Sequence, residues 1–315
     1  MCNFFKTRTG VALVAVFYTF LWGTAFPLVK LCMEGFAVED DLTKCLVAGI
    51  RFTVSGAALV IGSLAINKKD ALPKKSEILP ILLYGALGTA IQYAFTYIGL
   101  SRVDGSKGAI FDQLCVFIII IVSGLLLKND KLTPLKILGC VLGLFGVFAV
   151  NTESMSFTFS MLGEGMMILA ALCQTGAYIV ATLGACRISA VKLVGYGQLF
   201  GGILLVGVTT LLGARINTVS TLGILMLLSL SAISAIAYCL SLIPLKYFPA
   251  SEVSVYNLLI TVFGVVMSGL ILGENIFKIN YLISLLLISL GIIAVNFKLK
   301  NNKRIKTSER HQNEG

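Results

Sequence analysis

Polar residues punctuate this chain at fairly even spacing, and between them run apolar stretches of membrane-crossing length. Ten such stretches stand near residues 11–33, 45–66, 79–100, 105–127, 134–151, 162–186, 192–213, 220–246, 252–273 and 280–297. A helix crosses the hydrocarbon core with about 20 mostly apolar residues. The pattern predicts an all-α integral membrane protein of ten transmembrane helices. The fifth span reads as short, and the sixth and eighth are long enough to tilt or bend. Connections are too brief for a soluble domain, so the spans are expected to form one bundle. The first stretch follows Lys6 and Arg8, as in a signal peptide. Its apolar run is too long for one and carries no small-residue cleavage site, so it reads as a retained helix.

Composition agrees. Of 315 residues 57% are hydrophobic and only 13% charged, against about 25% charged in soluble domains. The net charge of +10 is spread over loops. Lys and Arg crowd one set of connections (Lys6, Arg8, Lys68, Lys69, Lys74, Lys75, Lys128, Lys131, Lys136, Arg187, Lys192, Lys246 and the tail from Lys298) and are sparse in the other (Lys44, Arg102, Lys107, Arg215, Lys278). By the positive-inside rule both termini lie in the cytoplasm of a cell whose plasma membrane holds the protein. The dispersed charge reads as an orientation signal rather than a nucleic-acid footprint. No glycosylation acceptor occurs, which favours a prokaryotic source.

The chain also repeats itself at an interval of 145 residues. Ser123-Gly124-Leu125 matches Ser268-Gly269-Leu270, Ala149-Val150-Asn151 matches Ala294-Val295-Asn296, Gly146 matches Gly291, and Tyr93 falls on Tyr238. The expected organisation is a 5+5 inverted repeat: residues 1–151, residues 152–297, and a basic tail, 298–315. Five spans is an odd number, so the second half enters the membrane from the opposite side, as in many secondary transporters.

Several segments carry a family resemblance: Leu21-Trp22-Gly23-Thr24-Ala25-Phe26, Ile50-Arg51-Phe52, Tyr97-Ile98-Gly99-Leu100 and Leu272-Gly273-Glu274. In order and spacing they resemble the drug/metabolite transporter superfamily, in its ten-span EamA-type form. The resemblance implies gradient-linked export of small metabolites. Where the family often has prolines in spans four and nine, this chain has Val116 and Thr261, and Asn129 stands at the first-half glutamate position.

Ionisable and polar groups within spans usually face the bundle interior. Arg51 and Asp112 fall at similar depth in spans two and four, where they are expected to pair or to handle substrate or protons, with Asp112 the candidate carrier. The register is gapless only from the third span to the fifth; Asp112 falls on Asn257 at 145 residues and Arg51 is matched to Gln198 at 147, which predicts a charged pair on the outer side and an amide pair on the inner. Trp22, Gln92, Tyr93, Gln174, Tyr178 and Tyr238 fall near the midplane, the expected lining of an amphipathic cavity. Lys30 is expected to reach the outer interface beside Glu34. Pro27 is expected to free a carbonyl and kink span one. Cys32 and Cys45 are positioned to pair if the first outer loop folds back. Gly139-x-x-x-Gly143 and Gly197-x-x-x-Gly201 permit close helix contact, within a monomer or in a weak homodimer.

Other classes fit poorly. The one histidine, His311, lies in the tail, which removes His-based triads and zinc sites. No nucleotide-binding G-x-x-x-x-G-K-[ST] occurs. No enzyme activity, cofactor or metal is expected. The reading is a secondary active exporter of a small metabolite, an amino acid or related compound, working by alternating access with protons as the candidate coupling ion. The alternatives are a facilitative permease or channel and, further off, an intramembrane enzyme.

Overall fold

The computed structural model describes residues 4–100, 102, 105–127, 130–150, 159–273 and 279–297. Glu274, Asn129, Lys128, Lys278 and the basic tail lie outside them. All regular structure among the described residues is helical, as expected where backbone groups must be satisfied without water. The long helices are α1 (Arg8–Gly35), α2 (Asp41–Ile66), α3 (Lys75–Gly99), α4 (Gly105–Leu126), α5 (Pro134–Val150), α6 (Met161–Gly184), α7 (Ala190–Leu211), α8 (Thr221–Lys246), α9 (Ala250–Leu272) and α10 (Ile279–Asn296).

Seven helices (α1, α2, α3, α6, α7, α8 and α9) are long and apolar enough to cross a membrane by length and composition. Shorter apolar helices occupy Phe111–Leu126, Pro134–Ala149 and Leu282–Asn296. The sequence predicts a short fifth span, and α5, at 17 residues, is the shortest of the ten helices in the described residues. Leu13, Ile61, Phe145, Leu225 and Leu286 are among many large apolar side chains left exposed. So much outward-facing apolar surface suits lipid rather than water.

Helix starts follow from short polar side chains. Thr7, Asp40, Ser189 and Ser220 each accept a hydrogen bond from a backbone N–H in the first turn of α1, α2, α7 and α8. Irregular turns fall inside several helices. A wide turn, Ala86–Ile91, interrupts α3 just before Gln92 and Tyr93, and α6 opens on another at Met161–Gly165. A tight turn, Val255–Leu258, holds Asn257 within α9 without any proline. Pro27, in contrast, sits inside an α1 that runs unbroken from Arg8 to Gly35.

Glycines set the closest crossings. A methyl on Gly56 would stand 2.3 Å from the Leu199 nitrogen, and one on Gly202 2.5 Å from the Thr53 nitrogen, so α2 and α7 touch backbone to backbone. Gly139 and Gly291 join α5 to α10 in the same way, each Cβ position within 2.8 Å of the other's carbonyl oxygen. Gly197 and Gly201 meet Gly85 of α3. Both sequence motifs of spaced glycines are thus used inside the chain. Helix α1 packs against α8 and α9, and α6 against α3 and α4. Cys32 and Cys45 are both free and buried, so the disulfide considered for them does not form.

Candidate functional site

Two pairs of residues one helical turn apart create the central cluster. Tyr93 and Tyr97 share a face of α3, and Ser234 and Tyr238 share a face of α8. Trp22 comes from α1, and Arg51 and Phe52 from α2. The Tyr93 and Tyr238 hydroxyls lie 3.0 Å apart in a hydrogen bond. The Trp22 ring stands edge-on to Tyr238 at 4.7 Å, and Phe52 lies 4.4 Å from Tyr93.

Arg51 lies beside these rings and is only 4% exposed. Its Nε donates to Ser234 Oγ at 2.8 Å, and that hydroxyl donates onward to the Leu230 carbonyl. The guanidinium carbon sits 5.7 Å from the Trp22 ring and 5.1 Å from the Phe52 ring, within cation–π range. Nη2 is buried and has no hydrogen-bond partner. The ion pair expected with Asp112 is not formed, because the guanidinium is turned toward α1 and α8.

The amide counterparts also differ from expectation, since each takes a hydroxyl from another helix. Ser55 donates to Gln198 Oε1 at 2.5 Å, leaving the buried Gln198 Nε2 without a partner. Tyr18 donates to Asn257 Oδ1 at 3.0 Å. Gln92 is buried, and Gln174 is half-buried. Tyr178 packs one layer away, in an apolar cluster with Tyr84 and Leu242 that also touches Tyr238. The structure thus brings together Trp22, Arg51, Tyr93 and Tyr238 from the sequence candidates, and adds Phe52, Tyr97 and Ser234.

Where α1 finishes, a cavity of about 550 Å³ is lined by Val29, Lys30, Met33, Glu34, Glu39, Lys44 and Tyr97, among others. Lys30 and Glu34 therefore serve a shared mixed-charge vestibule. Tyr97 lies in its wall and, 6.4 Å from Tyr93, leads toward the ring cluster.

Where α1 begins, the bundle is tied by ionic contacts that the sequence reading missed. Lys192 of α7 donates to Glu77 of α3 at 3.0 Å, and Arg8 meets Glu252 of α9 at 3.4 Å. Asp130, between α4 and α5, accepts the Ser251 backbone N–H at 2.8 Å. It also accepts the Ser251 hydroxyl and pairs with Lys136. Asp130 thereby caps the start of α9 from another part of the chain. Burial alone would raise its carboxyl, but the Lys136 ammonium and the two Ser251 donors outweigh that and hold it below the ordinary value.

Comparison with known proteins decides the family. The profile of the EamA-like transporter family matches residues 9–152 and again residues 161–297. The chain belongs to the EamA-like transporter family. An EamA-like chain is a multi-pass membrane transporter with a small-molecule substrate. Among its relatives, the uncharacterized transporter YvbV of Bacillus subtilis is 27% identical over 304 residues, covering 95% of this chain and 94% of that one. The S-adenosylmethionine/S-adenosylhomocysteine transporter of Chlamydia trachomatis is 23% identical over 294 residues, covering 86% and 85%. A solved crystal structure shares the fold with a TM-score of 0.76 at 17% identity, covering 92% of this chain and 99% of that one.

Proposed function

We propose that this EamA-like protein is a secondary active exporter of small amino-acid-like metabolites in a bacterial plasma membrane. Ten helices cross the membrane as two inverted halves, residues 1–151 and 152–297, with both termini and the 298–315 tail in the cytoplasm. One observation carries the reading. The Tyr93–Tyr238 hydrogen bond joins residues 145 apart, which is the interval of the sequence repeat. Residues exchanged by a twofold axis bond to one another only beside that axis, so the ring cluster is the pivot of the two halves.

The helix contacts support the same symmetry. The α1–α8 contact has its mate in α6–α3, α1–α9 in α6–α4, and α2–α8 in α7–α3, while α2–α7 and α5–α10 are their own mates. Inverted halves can exchange conformations and so expose one site to either side in turn. The mixed-charge vestibule near Tyr97 becomes the extracellular mouth, and the Glu77–Lys192, Arg8–Glu252 and Asp130–Ser251 ties close the cytoplasmic side. The substrate class follows from one buried cation, one intramembrane carboxylate at Asp112 and a ring-lined centre. A relative named for S-adenosylmethionine, itself an amino-acid derivative, agrees.

The test is uptake of radiolabelled amino acids into inside-out vesicles and proteoliposomes, with and without a proton gradient. Accumulation that collapses with an uncoupler is expected. Equilibration without accumulation supports a facilitative permease, and failure to move any amino acid overturns the substrate class.

A further inference from the structure

We propose that Arg51 is the anion-recognition residue of this transport site, its free Nη2 receiving a carboxylate oxygen of the substrate while Ser234 holds the guanidinium in position. The proposal rests on the transport function assigned to the same site and names the group that the site reads.

Three observations carry it. First, Arg51 is a buried cation in the bundle interior with no carboxylate on it. Among the described ion pairs none includes Arg51, and its one hydrogen bond goes to a neutral hydroxyl. A purely structural arginine in such a place ordinarily takes a carboxylate or several carbonyls, because an uncompensated buried charge is costly. Second, the unsatisfied atom is Nη2, while Nε is the atom held. Fixing one edge of the planar fork leaves the rest preorganised for an anionic oxygen. Third, α7 carries a second spare donor: Gln198 is held by one serine, Ser55, and leaves Nε2 buried and unpartnered.

The surroundings fit a carboxylate on a small, partly apolar body. The rings of Trp22 and Phe52 flank the guanidinium. The vestibule beyond Tyr97 carries both signs, Lys30 and Lys44 with Glu34 and Glu39.

The sequence has a single tryptophan, Trp22, so its emission reports directly on this site. The purified full chain is titrated with the aliphatic and sulfur-containing L-amino acids and with the amide of each. The expected result is that at least one acid shifts Trp22 emission while its amide binds at least tenfold more weakly. In Arg51→Gln that acid-over-amide preference disappears, in Arg51→Lys it survives in part, and in Ser234→Ala it weakens. Thermal melting and elution profile establish that each variant folds, and Arg51→Lys stands in if Arg51→Gln does not. Equal binding of acid and amide, an unchanged preference in Arg51→Gln, or no response to any acid overturns the proposal. The vesicle assay separates the two readings. Amino-acid transport that is indifferent to Arg51→Gln sinks this inference alone, whereas absence of transport in the unaltered protein sinks the transport reading.

Discussion

The hydroxyls of Tyr93 and Tyr238 share a hydrogen bond at 3.0 Å, across 145 residues of intervening chain. A neutral hydrogen bond contributes about 1 kcal/mol net, enough to change a two-state equilibrium roughly fivefold. If it forms in only one transport state, Tyr93→Phe and Tyr238→Phe should each alter the transport rate by about that factor. The double variant should match the singles rather than multiply them, because either change removes the same bond. Initial rates in proteoliposomes check this, and multiplicative losses would show that the two hydroxyls act separately.

The cap that Asp130 places on α9 carries a pH signature. Its carboxyl titrates below the ordinary value of 3.8 in the folded protein. The stability it contributes is therefore complete above that value and is lost as pH falls through the lower, folded one. The unaltered protein should melt at nearly constant temperature from pH 7 to 5, as far as this group is concerned, and lose stability below about pH 4. Asp130→Asn should lower stability at neutral pH by about 1–3 kcal/mol and flatten the acid limb. Melting curves of both proteins across this range decide it.

Within α2, two glycines should respond oppositely to the same change. A methyl at Gly56 would stand 2.3 Å from the Leu199 nitrogen, whereas one at Gly62 would meet nothing within 4 Å. Gly56→Ala is expected to cost about 1–3 kcal/mol by overpacking. Gly62→Ala is expected to be neutral or stabilising by up to about 1 kcal/mol from helix propensity. Thermal midpoints in one detergent give both signs.

Orientation is accessible through Cys186, the exposed member of the described cysteines. It lies between α6 and α7, on the side assigned to the cytoplasm. In a Cys2→Ser background, a membrane-impermeant maleimide should label it in inside-out vesicles and spare it in intact cells. Labelling in intact cells would reverse the proposed topology.

Much of the fold is legible because membrane-crossing length and apolarity are local properties of the chain. The described helices overlie the ten apolar stretches to within a few residues. The site is legible only where a residue is unusual for its depth, which is why Trp22, Arg51, Tyr93 and Tyr238 stand out. Ser234 carries no such mark, being one serine among several on α8, and its role depends on how α8 lies against α2. The Asp130–Ser251 cap joins residues far apart in sequence, and neither is rare at a helix end. The Arg51–Asp112 pair fails for a related reason: depth along two helices was readable, but not the direction in which each side chain turns. The wide turn at Ala86–Ile91 is likewise silent in sequence, since no proline announces it, and it lies where α3 meets the glycines of α7.

The glycine contacts have a mechanical consequence. Helices α2 and α7 meet backbone to backbone, as do α5 and α10, and in each case the partners come from opposite halves of the sequence. Such seams leave no side-chain cushion to slide on. With the contact of Gly85 on Gly201, the two halves of the sequence are fastened to each other at several backbone seams, which opposes their swinging past one another as whole blocks. In the proposed transport cycle, the moving parts are then expected to be assembled from pieces of both halves, so that the repeated halves are not themselves the units that move.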